Sequence, residues 1–359
     1  MASKLDPMIE LAEDIASFTF DPLGHALYAY PWGEGPLSDV QGPRTWQCDV
    51  MEDIREHLED PKTRNQPCRI AVASGHGIGK SALIAMLAKW GLDTCVDTRI
   101  VITANTEGQL LTKTMPEITK WHNLSITKDW FKPTATALYS TQLGHDRGWR
   151  LDAIPWSINN TEAFAGLHNK GSRIIVVLDE ASAIHAKVWE VIIGALTDEG
   201  TEIIFLAFGN PTLNTGTFRE CFGKHRQLWK LRQIDSRQVE GTNKAYLEEI
   251  VNSYGLDSDI VKVRVLGQFP SASSMQFIPS DIVEAARKRE FVTEHGDAVV
   301  MGVDVARFGD DCSTIYFRKG RDARTIKPIS LRQVDTMQLA ARVAEEYRLT
   351  RAEFVCVDE

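Results

Sequence analysis

No two cysteines of this sequence stand in a Cys-x-x-Cys pair. The six present (Cys48, Cys68, Cys95, Cys221, Cys312, Cys356) are scattered over 359 residues, so neither a zinc site nor a disulfide framework is indicated. A reducing cytoplasm suits such a chain. There is no charged-then-apolar leader and no apolar run approaching transmembrane length, so the expectation is a protein that is neither exported nor membrane-spanning. An excess of positive charge is missing too. With a net charge of −9 nothing draws the whole molecule to nucleic acid. Any such contact falls to local clusters such as Lys224-His225-Arg226 or Arg287-Lys288-Arg289, each of which alone reads as solvated surface. Internal repeats and low-complexity tracts are likewise absent. What remains is a globular chain, 43% hydrophobic, with length and apolar content for two domains.

The most informative segment is Ser74-Gly75-His76-Gly77-Ile78-Gly79-Lys80-Ser81, set between the apolar run 69–73 and a helical pattern starting at Ala82. Strand, glycine-rich turn and helix in that order form a nucleotide-phosphate cradle. Backbone N–H groups converge on phosphate oxygens, Lys80 reaches the β- and γ-phosphates, and the Ser81 hydroxyl can ligate Mg²⁺. Ser74 stands where the usual pattern has its first glycine. The plain alternative is a glycine-rich turn with a surface lysine.

A second motif supports the first. Residues 173–180, Arg-Ile-Ile-Val-Val-Leu-Asp-Glu, read as a buried parallel strand ending in two carboxylates. Asp179 at that strand end can hold the Mg²⁺ shell, and Glu180 can orient and deprotonate an attacking water, which makes a hydrolytic ATPase. The long interval between Lys80 and Asp179 suits the additional-strand group of P-loop motors better than small GTPases. A third strand, 203–208, runs into Gly209-Asn210-Pro211-Thr212. Asn210 then faces the same edge as Asp179, where an amide can sense the γ-phosphate and pass its state to residues 212–222; standing alone it is an Asn-Pro turn. Upstream, Trp46 and Gln47 offer an aromatic face and an amide suited to adenine.

The organisation along the chain is α/β. Residues 1–43, rich in Pro, Gly and aromatics, read as an irregular N-terminal arm or lid. Residues 44–267 read as a P-loop ATPase domain with a mainly parallel sheet, including a helix over 245–265. Residues 268–280, Pro- and Ser-rich, read as a linker. Residues 281–359 form a second α/β pattern: helix 281–289, strands 299–305, 313–318 and 325–331, helix 336–348, strand 354–357. There Asp304 and Asp358 both end strands, and adjacent parallel strand ends would bring them together for a metal-dependent phosphodiester cleavage site. Asp310, Asp311 and Glu359 are secondary candidates.

Taken in order, and ending with the run 301–311 around Asp304, these motifs resemble the large subunit of a tailed-bacteriophage terminase, a DNA-packaging ATPase joined to an RNase H-like nuclease. The resemblance covers most of the chain and implies the following. Trp46 and Gln47 contact adenine, Ser74 to Ser81 bind ATP, Ser81 and Asp179 serve Mg²⁺, Glu180 and Lys80 are catalytic, and Gly209 to Pro211 couple hydrolysis to movement. In the incomplete RNase H-like domain Asp304 and Asp358 hold Mg²⁺ or Mn²⁺. The implied partners are double-stranded DNA, the portal protein of the procapsid and the small terminase subunit, with a homo-oligomeric ring when docked, a monomer in solution and no membrane. The implied place is the cytoplasm of the infected bacterial host, and transiently the portal vertex.

Two departures stand out. His76 occupies the place of the family's loop arginine, so a finger must come from elsewhere, with Arg147, Arg150, Arg173 and Arg226 all eligible, or His76 must serve. The family's nuclease also carries a further acidic residue, so the chain is expected to stop inside that domain, with cleavage defective. Two other readings remain: a helicase-like remodelling ATPase, whose further arginine-bearing motifs are not evident, and a non-catalytic ATP-dependent scaffold, against which Glu180 argues.

Overall fold

The computed structural model describes residues 7–104, 106–156, 169, 171–195, 199–271, 280–290, 296–306, 311–332 and 334–358. The chain divides into two compact units, Met1–Ser280 and Asp281–Glu359.

In the first unit, runs of consecutive apolar residues become central strands because only a strand covered on both faces can be apolar at every position. The strands are β1 (Cys68–Ser74), β2 (Arg99–Thr103), β3 (Phe131–Pro133), β4 (Ala137–Ser140), β5 (Arg150–Ala153), β6 (Arg173–Asp179), β7 (Glu202–Gly209) and β8 (Lys230–Ile234). They form one sheet in the order β3-β4-β5-β2-β6-β7-β1-β8. From β5 to β8 every pairing is parallel; β3 and β4 close the far edge antiparallel. β7, which follows Asp179 in sequence, stands between the phosphate-loop strand β1 and the Asp-Glu strand β6. With Ala73 opposite Gly209 and Asp179 opposite Phe208, the three strands finish at one edge.

The helix Lys80–Thr94 is buried almost all round. It packs on the sheet on one side and against the helices Pro7–Ala16, Pro22–Ala29 and Met115–Leu124 on the other. Its approach to the sheet depends on Gly91, where a Cβ would lie 2.4 Å from Cδ1 of Ile175. This helix also carries charge into the core. Lys89 contacts Asp93 and Thr127, and Asp93 accepts from Thr127 at 2.6 Å and meets Nε2 of His25 at 2.9 Å. A buried ion is tolerated only when paired and hydrogen-bonded in this way.

Residues 1–43 differ from the irregular arm expected of them. Within the described part they hold two packed helices, with Ile15, Ala26 and Ala29 fully buried. The prolines are start signals rather than breakers: Pro22 opens its helix, and Asp21 caps it by accepting from the Gly24 N–H at 2.9 Å. The helix expected over 245–265 is split. Gly255, at φ +81°, ends Lys244–Tyr254, and Ser258 caps a new turn at Asp259–Val261 that runs into a π-helical turn, Lys262–Leu266.

The second unit has the strands β9 (Val299–Asp304), β10 (Ser313–Lys319), β11 (Ile329–Leu331) and β12 (Phe354–Val357) in the order β11-β10-β9-β12. β9, β10 and β11 pair antiparallel, and β12 returns parallel to β9 after the helix Thr336–Thr350. A small core of Met301, Val303, Ile315, Phe317 and Leu339 lies under the sheet. β11 is shorter than the strand expected over 325–331. Asp322 accepts from the N–H groups of Arg324 and Thr325 in a turn, and Pro328 has no N–H for a ladder. Among the described residues no helix is long and apolar enough to cross a membrane, and all six cysteines are free.

Candidate active site

The loop between β1 and the helix Lys80–Thr94 is shaped by glycine. Gly77 and Gly79 adopt φ of +74° and +84°, a left-handed backbone that favours glycine, whereas Ser74 has no positive φ and fits as an L-residue. Ser74 is fully buried. The loop walls a cavity of about 430 Å³ together with Lys113, Glu117, Glu180 and Asn210.

Three side chains, one from the start of the helix after the loop and two from beyond the ends of β6 and β7, meet there. The Lys80 ammonium donates to Oδ1 of Asn210 at 2.9 Å and lies 3.8 Å from a Glu180 carboxylate oxygen. Asn210 Nδ2 in turn donates to the Ser74 carbonyl at 2.6 Å. Glu180 sits at φ +55°, one of few non-glycine residues in the left-handed region. Such a conformation costs on the order of 1 kcal/mol or more and persists where the surrounding structure imposes it. Here the sharp turn directs Glu180 into the cavity while Asp179 stays buried at the end of β6. Burial, then the charge of Glu180, pushes the Asp179 carboxyl above the usual carboxylate range. Thr114 opposes this by donating to Oδ2 of Asp179 at 2.9 Å.

Trp46 and Gln47, read from sequence as adenine contacts, lie beneath the loop instead. Both are buried. Trp46 Nε1 donates to the Ile78 carbonyl at 3.0 Å and Gln47 Nε2 to the Gly79 carbonyl at 2.8 Å, while Gln47 Oε1 accepts from the Arg44 N–H. Arg44 adds a bond to the Gly77 carbonyl at 3.0 Å, and Ser236 one to the His76 carbonyl at 2.8 Å. The loop is therefore braced from below through its carbonyls, leaving its open side to the cavity.

His76 is exposed at the rim. Burial of part of its ring, then the charge of Lys80, holds its imidazole below the ordinary histidine value, so it is neutral at pH 7 and is no ready cation. Of the arginines eligible as a finger, Arg173 is excluded. It is fully buried, forked onto Glu202, bonded to Thr94 and to the Thr19 carbonyl, and stacked 4.3 Å from the Trp90 ring. Arg150 is paired with Asp152. Arg147 and Arg226 are exposed.

Lys113, Thr114 and Glu117 carry no sequence signal. They lie where the helical stretch 107–124 widens into a π-helical turn at Leu110–Thr114, and π-turns recur at functional sites.

In the second unit, Val357 pairs with Val303, so Asp358 and Asp304 follow at neighbouring parallel strand ends. Both are exposed, and both line a cavity with Thr314, Tyr316 and Cys356. Among the described residues no group of three or more His, Cys, Asp or Glu side chains is placed to hold a metal ion. Asp311 is exposed; Asp310 and Glu359 lie outside the described residues.

The chain is 26% identical over 342 residues to the probable terminase large subunit of Enterobacteria phage P7, covering 89% of this chain and 66% of that protein. It therefore spans just under two thirds of that relative's length. Its fold matches the HK97 bacteriophage large terminase with a TM-score of 0.51 at 13% identity, covering 95% of this chain and 74% of that one. The large terminase of the thermophilic bacteriophage D6E in complex with ADP gives a TM-score of 0.47 at 12% identity, covering 88% and 77%. No protein-family profile matches the chain.

Proposed function

We propose that this chain, a relative of the phage terminase large subunits, is an ATP-hydrolysing motor that drives double-stranded viral DNA into a procapsid. The observation that carries the reading is the convergence of Lys80, Glu180 and Asn210 on one cavity from the ends of the loop, β6 and β7. Without nucleotide the Lys80 ammonium is shared between the amide and the carboxylate. An entering γ-phosphate competes for that ammonium, which releases Glu180 to orient and deprotonate a water in line with the phosphorus. Asn210 loses its Lys80 partner in the same event, so its amide reports phosphate occupancy to residues 212–222.

The donor set fits Mg²⁺ held partly by the nucleotide. Ser81 lines the cavity, and the buried Asp179 carboxylate accepts from the Thr114 hydroxyl and has a raised pKa that a nearby cation would offset. When bound, Mg²⁺ neutralises charge on the transferred phosphoryl group; Ser81 and Asp179 are the residues that would hold it, with water completing the shell.

The second unit is proposed as an RNase H-like nuclease. Three antiparallel strands, a helix and a parallel fourth strand bring Asp304 and Asp358 side by side, and these two would hold Mg²⁺ or Mn²⁺ for cleavage of the packaged DNA. The partners on this reading are duplex DNA, the portal protein and the small terminase subunit, met as a ring of copies at the portal vertex in the host cytoplasm.

A steady-state phosphate-release assay with and without duplex DNA tests the motor reading. Slow release by the chain alone, raised by duplex DNA, is expected. Nucleotide binding without release under either condition would make the protein a scaffold.

A further inference from the structure

The charged side chains at the phosphate-loop cavity are Lys80, Lys113, Glu117 and Glu180, and three of the four are already engaged. Lys80 lies 3.8 Å from a Glu180 oxygen. Glu117 accepts from the Trp121 indole N–H at 2.8 Å and from the Lys120 ammonium at 3.2 Å, both on its own helix. Lys113 is exposed and has neither a hydrogen bond nor an ion pair among the described residues. Resting on the nucleotide reading above, we infer that Lys113 is a further catalytic residue, a cation that meets the terminal phosphoryl group in the same chain's site and stabilises the charge of its transfer.

Charge balance requires such a group. A triphosphate carries more negative charge than one Mg²⁺ and one lysine neutralise, and in the transition state that charge spreads over the oxygens of the transferred phosphoryl group. Other cations of the chain are spent or elsewhere. His76 in the loop is neutral at pH 7, Arg173 is buried against Glu202 and Trp90, and Arg150 is paired with Asp152. Lys80 itself is divided between Asn210 and Glu180. Among the described residues, Lys113 is the cation that faces this cavity uncommitted.

The backbone beneath Lys113 is fixed. Residues Leu110–Thr114 form a π-helical turn in which the Met115 N–H reaches the Leu110 carbonyl, and Leu110, Thr114 and Met115 are all buried. Thr114 donates to Oδ2 of Asp179 at 2.9 Å. The residue next to Lys113 is thereby tied to the carboxyl that ends β6, and Glu180, which follows it, enters the same cavity. Lys113 and Glu180 therefore serve the site from one side, whereas Lys80 rises from the loop. A lysine suits the position, because its ammonium is a compact charge on a flexible stem and can follow a phosphoryl group in motion. Glu117, four residues on, is the partner that helix spacing offers Lys113, yet its carboxylate is held by Trp121 and Lys120.

Single-turnover phosphate release from Mg²⁺·ATP by wild type, Lys113→Gln and Lys113→Arg tests the assignment, together with calorimetric binding of ADP and of ADP with aluminium fluoride, which mimics the transferring phosphoryl group. Lys113→Gln is expected to slow release by about 10²-fold, as loss of one transition-state donor does. It should bind ADP as wild type does and weaken the fluoride complex by a similar factor, while Lys113→Arg keeps most of the rate. Glu180→Gln protein, which carries an intact Lys113, should not restore release when mixed with Lys113→Gln, since the lysine acts within its own chain. Wild-type release by Lys113→Gln, a loss of ADP affinity equal to that of the fluoride complex, or restoration in the mixture would overturn the inference and leave the nucleotide reading standing. A wild-type chain that binds neither ATP nor ADP would overturn the nucleotide reading itself, and the role of Lys113 with it.

Discussion

Asn210 and Lys80 are joined by a 2.9 Å hydrogen bond from ammonium to amide oxygen, and the same amide donates to the Ser74 carbonyl at 2.6 Å. One side chain thus links the strand before the phosphate loop to the lysine after it. Asn210→Ala leaves the buried Ser74 carbonyl unpaired, which costs on the order of 1–3 kcal/mol. A lowered melting temperature is expected, with nucleotide binding retained and hydrolysis uncoupled from DNA movement in a reconstituted packaging assay. Normal packaging by this variant would reduce Asn210 to a turn residue.

The seating of the helix Lys80–Thr94 on the sheet can be probed at Gly91. A methyl group there meets Cδ1 of Ile175 at 2.4 Å, and overpacking of this kind costs about 1–3 kcal/mol. Gly91→Ala should destabilise the protein in urea, and adding Ile175→Val, which removes the obstructing methyl, should recover most of the loss. Additive losses in the double variant would place the strain elsewhere.

The P-loop half of this protein is legible in its sequence because the signals are local. Glycines before Lys80, a carboxylate pair closing an apolar run, and a strand ending at Asn210 each fix chemistry and position together. The second unit is legible for a similar reason, since strands ending at Asp304 and Val357 bracket one helix. What the sequence does not carry is direction. Trp46 and Gln47 read as ligands because their side-chain types suit adenine, yet burial beneath the loop turns them into braces. Arg173 reads as a free cation until Glu202, Thr94 and Trp90 enclose it. Thr114 reaches Asp179 across sixty-five residues of sequence, a contact that no local pattern encodes.

Acid should expose the buried histidine beside the charged core. Burial, then the charge of Lys89, lowers His122 to about 4, against the opposing charges of Asp93 and Asp129 and a backbone hydrogen bond to Phe131. Its folded-state value lies below its unfolded value near 6.5, so the unfolded chain binds the extra proton first. Stability is therefore full above about pH 6.5 and falls as the pH drops toward about 4. His122→Gln should flatten this limb of the urea stability profile relative to wild type; an unchanged slope would remove His122 from the acid response.

The paired carboxylates of the second unit should act together on metal. Asp304 and Asp358 follow residues that pair in register on β9 and β12, so Asp304→Asn and Asp358→Asn are each expected to remove the same Mn²⁺ site in a paramagnetic-resonance titration. ATP turnover should be unaffected by either. Retention of that site in both variants would show that the pair does not bind metal.

Glu180 is held in a left-handed turn, its carboxylate 3.8 Å from the Lys80 ammonium. The most direct measurement compares ATP binding and single-turnover phosphate release in wild type, Glu180→Gln and Lys80→Ala. Glu180→Gln should bind ATP and lose turnover by about 10²-fold or more, as expected for removal of a general base, whereas Lys80→Ala should lose binding or turnover altogether. Hydrolysis by Glu180→Gln at the wild-type rate would contradict the account.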